Sequence, residues 1–253
     1  MLDANGATVF ETSFSFESPL TPIVPVLNAP YSANEISVSR DPKGVEQSQA
    51  AGKVWRDSLG RIRRERSLYM GPGISEPPRS IEIDDVVAGY RYTLDARRKL
   101  AHRSRLLKPG ETPALAEERT IPLQTATASA NGAVTVTERA SAPRVLTATR
   151  PTSADSPAGP QTERLGTREI EGIRVEGTRY TSKIPGAIGE TWTSPELQVN
   201  LIVTTIHPSH AEQITRLTSV LRADPDAALF KIPDGYAIKD EAGEFSIQFS
   251  ARK

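Results

Sequence analysis

The chain has 253 residues, with 31 Lys and Arg against 31 Asp and Glu, no Cys and 20 Pro. The zero net charge argues against a nucleic-acid-binding protein, because such proteins need a basic surface to displace counterions. The absence of Cys excludes disulfides, thiolate nucleophiles and Cys-ligated zinc. The apolar stretches are far shorter than the roughly 20 residues that cross a bilayer, so we expect no nucleic-acid partner and no integral membrane protein.

Residues 1–30 predict an extended N-terminal arm, because four prolines remove backbone donors and interrupt helices. The phenylalanines of this arm leave a second interpretation open, in which the arm docks on a sheet. The first residues contain neither the basic nor the apolar segment of a leader. The sequence is therefore compatible with a cytoplasmic protein and with an exported protein whose leader has been removed.

Residues 31–105 alternate apolar and polar side chains, which is the pattern of strands with one buried face. Tyr90, Tyr92 and Leu94 share one face of such a strand, and turn residues such as Asp41–Gly44 separate the strands. This region predicts an antiparallel meander that forms the first half of a β-sheet domain.

Residues 106–163 predict a long flexible insertion of low complexity. Within residues 111–160, 30 of 50 residues are Ala, Thr, Ser or Pro, and no aromatic residue occurs between Tyr92 and Tyr180. Such a segment buries too little apolar surface to offset its ordering entropy. A transient strand over Val134, Val136, Val145 and Leu146 is the most structure that we expect there.

Residues 164–253 return to strand patterns and predict the second half of the same domain. A turn is expected at Glu171–Gly172, and Asp224 and Pro225 predict the start of a short helical turn that ends at Phe230. Neither half has an obvious way to cover its own sheet edge. We therefore expect one large sheet, split in sequence, rather than two domains.

No catalytic motif is present, and we expect no catalytic residue, no metal and no cofactor. His207 and His210 form the one His pair, but Pro208 places them in a turn, where surface residues are the simpler interpretation. The pair Asp84–Asp85 fits either acid–base chemistry or turn capping. His102, on a polar strand end, is expected to be solvated.

Residues 53–66 carry six basic side chains against two acidic ones. Two interpretations remain open for this stretch. It is either a contact for an anionic partner, or a solvated strand face that guards a sheet edge.

Several motifs carry a resemblance to a known family. They are ExLGxxxIxG from Glu163 to Gly172, ETWTSPEL from Glu190 to Leu197, DAALFKIPDGY from Asp226 to Tyr236, WRDSxGR from Trp55 to Arg61 and DxVAGY from Asp85 to Tyr90. With these motifs the chain resembles the lipoprotein-carrier superfamily (the LolA/LolB-like carriers and the RseB stress-sensor domain), within a group of uncharacterised bacterial envelope proteins.

The resemblance implies a mainly β fold: a large curved antiparallel sheet, an unclosed half-barrel, with few short helices and an apolar concave face. It also implies a periplasmic or cell-envelope location and the binding of acyl chains or partner proteins. We therefore expect a non-enzymatic envelope protein that binds an apolar, lipid-like ligand on the concave face. The alternative is a protein-interaction or stress-sensor domain whose partner is an envelope protein.

Four large aromatic side chains fall on predicted strands and are the expected ligand-binding residues. They are Trp55, Tyr92, Tyr180 and Trp192. The other interpretation is that they fill the core, because an aromatic side chain buries roughly 150–250 Å² without any ligand.

Overall fold

The computed structural model describes residues 9–19, 22–41, 43–69, 74, 76–111, 123–128, 134–139, 161–182, 184–208 and 210–252. The chain divides into two compact units, one made of Met1–Thr112 with Ala158–Lys253 and the other of Pro113–Pro157. Among the described residues, strands dominate both units, as the mainly β prediction requires.

The strands are β1 (Val9–Phe16), β2 (Tyr31–Arg40), β3 (Glu46–Arg56), β4 (Ile62–Ser67), β5 (Arg79–Asp85), β6 (Tyr90–Asp95), β7 (Leu100–Arg105), β8 (Leu123–Ala128), β9 (Val134–Arg139), β10 (Gln161–Ile170), β11 (Ile173–Thr181), β12 (Ile188–Ser194), β13 (Val199–His207), β14 (His210–Leu221), β15 (Ala237–Asp240) and β16 (Phe245–Arg252). One 3₁₀ turn (Ala227–Phe230) lies between β14 and β15.

Twelve strands form one sheet in the order β10-β11-β12-β13-β14-β2-β3-β4-β5-β6-β7-β15. All neighbours are antiparallel except β15, which runs parallel to β7. The sheet is not closed into a barrel. Two sequential meanders meet where β14 pairs with β2, from Glu212 opposite Arg40 to Leu221 opposite Ser32. The predicted large, unclosed antiparallel sheet is therefore confirmed.

The second unit contains β8 and β9, which pair from Leu123 opposite Arg139 to Ala128 opposite Val134. The expected strand residues Val134 and Val136 lie in β9. Val145, Leu146 and most of residues 106–163 lie outside the described residues, so the flexibility of this segment stays a prediction.

The N-terminal arm contributes a strand, because β1 pairs with β16 in a separate two-stranded sheet. The ring centroids of Phe14 and Phe249 lie 5.7 Å apart, as do those of Phe16 and Phe245. The second interpretation of the arm, docking through its phenylalanines, therefore describes this segment.

A helical turn forms near the expected place but begins later. Asp226, not Asp224, caps it, since Asp226 Oδ1 accepts a hydrogen bond from the backbone N–H of Ala228 at 2.9 Å. The Asp224 carboxylate instead accepts from the backbone N–H and the hydroxyl of Ser58, at 2.8 and 2.6 Å. Phe230 of this turn packs into a core cluster with Ile83 and Leu94.

The C-terminal segment covers β7, with β15 paired along it and β16 packed against it. His102 on β7 is only 4 % exposed, its Nδ1 lies 2.7 Å from Glu241 Oε1, and its ring stacks on Phe245 with a centroid distance of 4.6 Å. The expectation that His102 is solvated is therefore wrong, because β15 and β16 fold back over it. Burial raises the pKa of Glu241, but hydrogen bonds from Lys239 and His102 outweigh it and hold the pKa below its usual value.

These contacts of Glu241 make a pH-dependent contribution to stability. A carboxyl whose pKa is lowered by folding stabilises the protein above its unfolded pKa of about 4.3, and the contribution disappears as the pH falls through the folded value. We expect Glu241→Gln to lower the free energy of unfolding by about 1 kcal/mol at pH 7.

Urea unfolding at pH 7 and at pH 3 checks this prediction. The difference between wild type and Glu241→Gln should shrink at the lower pH. The matched control is Glu196→Gln, since Glu196 forms an exposed ion pair with Arg222. A difference that stays constant between the two pH values contradicts the prediction.

Candidate functional site

Trp55 and Tyr92 lie in one row across the sheet. The register pairs Trp55 with Arg63, Arg63 with Ile83, and Ile83 with Tyr92. Directly paired side chains share a face, and both aromatic side chains pack against the core cluster that contains Phe230. Burial raises the pKa of Tyr92. The 3₁₀ turn and its flanks thus cover the face on which these two residues lie.

Trp192 is 8 % exposed and belongs to the larger core cluster. Its ring lies over Gly177 on the neighbouring strand, where an added Cβ would come within 2.7 Å of the ring. The guanidinium of Arg168, on β10, lies 3.6 Å from the centroid of the Trp192 ring. Trp192 Nε1 donates to Glu190 Oε1 at 2.8 Å. Trp192 is therefore held on every side by described residues of its own sheet.

Tyr180 is the exposed member of the predicted group, at 44 %. On the same two strands Trp192 pairs with Gly177 and Tyr180 with Gly189, so the odd spacing puts the two aromatic side chains on opposite faces. The structure brings Trp55 and Tyr92 together but separates Trp192 and Tyr180 from them and from each other.

Tyr180 belongs to an apolar patch at the ends of β11, β12 and β13. We call Tyr180, Ile184, Ile188 and Ile206 the rim patch. These residues line an open cavity of about 370 Å³, and Ile184 and Ile206 are 49 % and 38 % exposed. Exposed apolar side chains that adjoin one another mark ligand or partner sites more often than isolated ones do.

The loop between β11 and β12 holds Ile184 at the surface. The backbone N–H of Ser182 donates to Ala187 O and that of Ala187 donates to Ile184 O, both at 3.0 Å. Gly186 has φ +80°, a conformation that favours glycine. Hydrogen bonds thus fix the loop while the Ile184 side chain stays half-exposed. The three isoleucines were not among the expected ligand-binding residues, because aromatic residues on strands were the sequence signal for such a site.

A charged groove adjoins the rim patch and shares Ile188 and Ile206 with it. Its cavity measures about 260 Å³, and its charged lining residues are Arg179, Glu190 and Glu212. Arg179 lies 3.2 Å from Glu163 and 3.3 Å from Glu190, while Glu212 lies 3.1 Å from Arg40. An apolar opening therefore continues into a polar groove.

The basic stretch 53–66 offers little free positive charge. Arg56 donates to the carbonyl oxygens of Ala29 and Leu197, and burial lowers its pKa. The other four arginines of the stretch form ion pairs with N–O distances of 2.6 to 2.9 Å, namely Arg61–Asp57, Arg63–Glu65, Arg64–Asp84 and Arg66–Glu35. These arginines are paired internally. Because β3 and β4 lie inside the sheet, the stretch guards no sheet edge, while contact with an anionic partner stays a prediction.

The acidic pair Asp84–Asp85 divides into two structural roles. Asp84 is 1 % exposed and binds both Arg64 and Arg91, whereas Asp85 Oδ1 accepts from the backbone N–H groups of Val87 and Ala88. Turn capping therefore applies to Asp85 alone.

His207 and His210 are register partners across the turn between β13 and β14. Within the described residues no group of three or more His, Asp or Glu side chains is arranged to hold a metal ion. The described helical residues also include no helix long and apolar enough to span a membrane.

No family model and no curated protein matches this chain. Several solved structures resemble it at low identity. They include the MucA/MucB complex of Pseudomonas aeruginosa (10 % identity, TM-score 0.40, 81 % of this chain and 56 % of that one), an uncharacterised conserved protein of Thermus thermophilus (9 %, 0.43, 85 % and 92 %) and LprF of Mycobacterium bovis (10 %, 0.33, 82 % and 90 %).

This chain thus spans little more than half the length of its match in the MucA/MucB complex. At these identities and TM-scores the likeness carries no statement about function.

The contact between Gly177 and Trp192 generates a stability prediction. Gly177→Ala should lower the free energy of unfolding by about 1–3 kcal/mol, because its Cβ would overlap the indole ring and lie 2.9 Å from Leu165. Gly189→Ala on β12 is the matched control, since its nearest neighbour would be Tyr180 Cδ2 at 3.9 Å. Urea unfolding of both variants measures the two losses of stability. Equal losses in Gly177→Ala and Gly189→Ala would contradict the close packing at Gly177.

Proposed function

We propose that this protein is a non-enzymatic binding protein of the cell envelope and that its ligand is apolar or amphipathic. The observation that carries the proposal is the rim patch, where the exposed side chains of Tyr180, Ile184 and Ile206 line one cavity. Burying such surface is favourable by roughly 25 cal/mol per Å². A ligand with an apolar chain is the occupant that gains most from this surface.

The charged groove next to the rim patch favours an amphipathic ligand over a purely apolar one. Ile188 and Ile206 line both cavities, so an apolar chain at the rim patch leaves its polar end beside Arg179 and Glu190. Ligand sites combine apolar walls with a few polar groups that orient the ligand. The two cavities together have this character.

Among the four aromatic residues singled out from the sequence, Tyr180 carries this proposal because its side chain is at the surface. Trp55 and Tyr92 are half-buried against one core cluster and Trp192 is buried in the other, so these three offer a ligand less open surface than Tyr180 does. The envelope location is proposed from the sequence resemblance, and the non-enzymatic role from the lack of a catalytic motif.

The alternative proposal, a protein-interaction domain, is favoured by strand β10. This strand is an edge of the twelve-stranded sheet, and eight of its ten residues are exposed. Within the described residues it pairs only with β11. An edge strand of this length offers backbone groups to a partner strand, although its charged side chains guard it.

Titration with Nile red, an uncharged apolar dye, tests the rim patch. Wild type should give a saturable rise in dye fluorescence. Ile184→Ser and Ile206→Ser should each weaken binding about tenfold, because a buried isoleucine contributes roughly 1.5 kcal/mol or more. Tyr180→Ala should weaken it as well.

The matched control is Leu221→Ser, since Leu221 is also exposed, at 62 %, but ends β14 away from the rim patch. Its dye affinity should equal that of wild type. Equal affinities for all four variants, or no saturable signal from wild type, would refute the rim patch as the ligand site.

A further inference from the structure

A second pocket lies at the ends of β5, β6 and β7, where residues 22–29 cross the sheet. We call it the strap pocket. Its cavity measures about 320 Å³ and shares no lining residue with the rim patch. Ile23 and Pro25 form one wall, Val86 another, and Leu106 and Leu107 the third.

Backbone hydrogen bonds hold these walls in place. Leu106 N–H donates to Gly89 O at 3.0 Å, and Ile23 N–H donates to Leu107 O at 3.4 Å. At the other end of the crossing segment, Asn28 N–H donates to Ser58 O at 2.9 Å. The pocket is therefore preformed from elements that are far apart in sequence.

The charged side chains that line the strap pocket are Arg105 and Lys108, and no acidic residue is among its described lining residues. Both side chains are exposed. Arg105 Nη2 lies 2.8 Å from Glu111 Oε1, and the backbone N–H of Lys108 donates to Glu111 Oε2 at 2.9 Å. The apolar walls therefore end at a positively charged opening.

Glu111 shows that this opening binds and stabilises a carboxylate. Hydrogen bonds from the Lys108 backbone and from Arg105 lower the pKa of Glu111, so the opening favours the ionised form. Exposed ion pairs of this kind contribute little net free energy. A second carboxylate that also gains apolar contacts in the pocket therefore has an advantage over Glu111.

We propose that the strap pocket binds a single-chain carboxylate amphiphile, with its chain between the apolar walls and its carboxylate replacing Glu111 on Arg105. The volume lies at the lower end of the roughly 300–1,000 Å³ typical of ligand pockets, which fits one chain rather than several. This site is separate from the rim patch and goes beyond the proposed function.

Isothermal titration with decanoate and with 1-decanol, both below aggregation, tests the proposal. The titrations use wild type and an Ile184→Ser/Ile206→Ser background in which the rim patch is disabled. Both proteins should bind decanoate more tightly than decanol. Arg105→Gln should weaken decanoate binding about fivefold or more, because a charge-assisted hydrogen bond is lost, and should leave decanol binding unchanged.

The variant Glu111→Gln should have the opposite effect on decanoate affinity from Arg105→Gln. It removes the internal competitor of the ligand, so decanoate should bind about two- to fivefold more tightly, as expected for release of an exposed ion pair. Decanol should show no change. Arg98→Gln is the matched control, since Arg98 is 58 % exposed but sits at the other end of β6 and β7.

Three results would overturn the proposal: equal affinities for the two probes, an unchanged decanoate affinity in Arg105→Gln, or no gain in Glu111→Gln. Decanoate binding that is lost in the Ile184→Ser/Ile206→Ser background but unaffected by Arg105→Gln would refute the strap pocket and support the rim patch. The Nile red titration tests only the rim patch, so a negative result there leaves the strap-pocket proposal standing. The two proposals can therefore be refuted independently.

Discussion

The pairing of β14 with β2 is the interaction on which the rest of the structure depends. It joins two meanders that are separated in sequence by residues 106–163, through partners such as Ile214 and Val38, both buried. Closing so long a connection costs chain entropy, but the cost rises only slowly with length. In return, two edges that would expose unpaired backbone groups disappear into one sheet. The remaining edges, β10 and β15, are the ends of that sheet.

The chain after β14 packs against the half of the sheet that contains β5, β6 and β7. The 3₁₀ turn packs against β5, β6 and β7, β15 extends the sheet beside β7, and β16 places Phe245 on His102. These contacts partly cover the aromatic residues Trp55 and Tyr92 with a segment of the same chain. The open apolar cavities of the rim patch and the strap pocket lie instead at the ends of strands.

Charged side chains are part of the packing rather than a free surface. Asp84, almost fully buried, is held between Arg64 and Arg91. A buried carboxylate without partners would be costly, whereas two guanidinium groups satisfy its oxygens. The arginines of β4 thus align neighbouring strands, and Glu35 on β2 and Asp84 on β5 offset half of the local excess of positive charge in residues 53–66.

The sequence by itself determined the features that depend on near neighbours. Alternation predicted the strands, and the Glu171–Gly172 turn forms where both residues adopt positive φ, at 54° and 70°. What the sequence could not decide is which strand residues are covered. Trp192 and Tyr180 lie on neighbouring strands with similar patterns, yet Trp192 is enclosed by Gly177 and Arg168 while Tyr180 stays at the surface. The same limit applied to His102, whose cover arrives from β16, at the far end of the chain. Burial depends on contacts between segments that are distant in sequence, and only the tertiary structure brings those segments together.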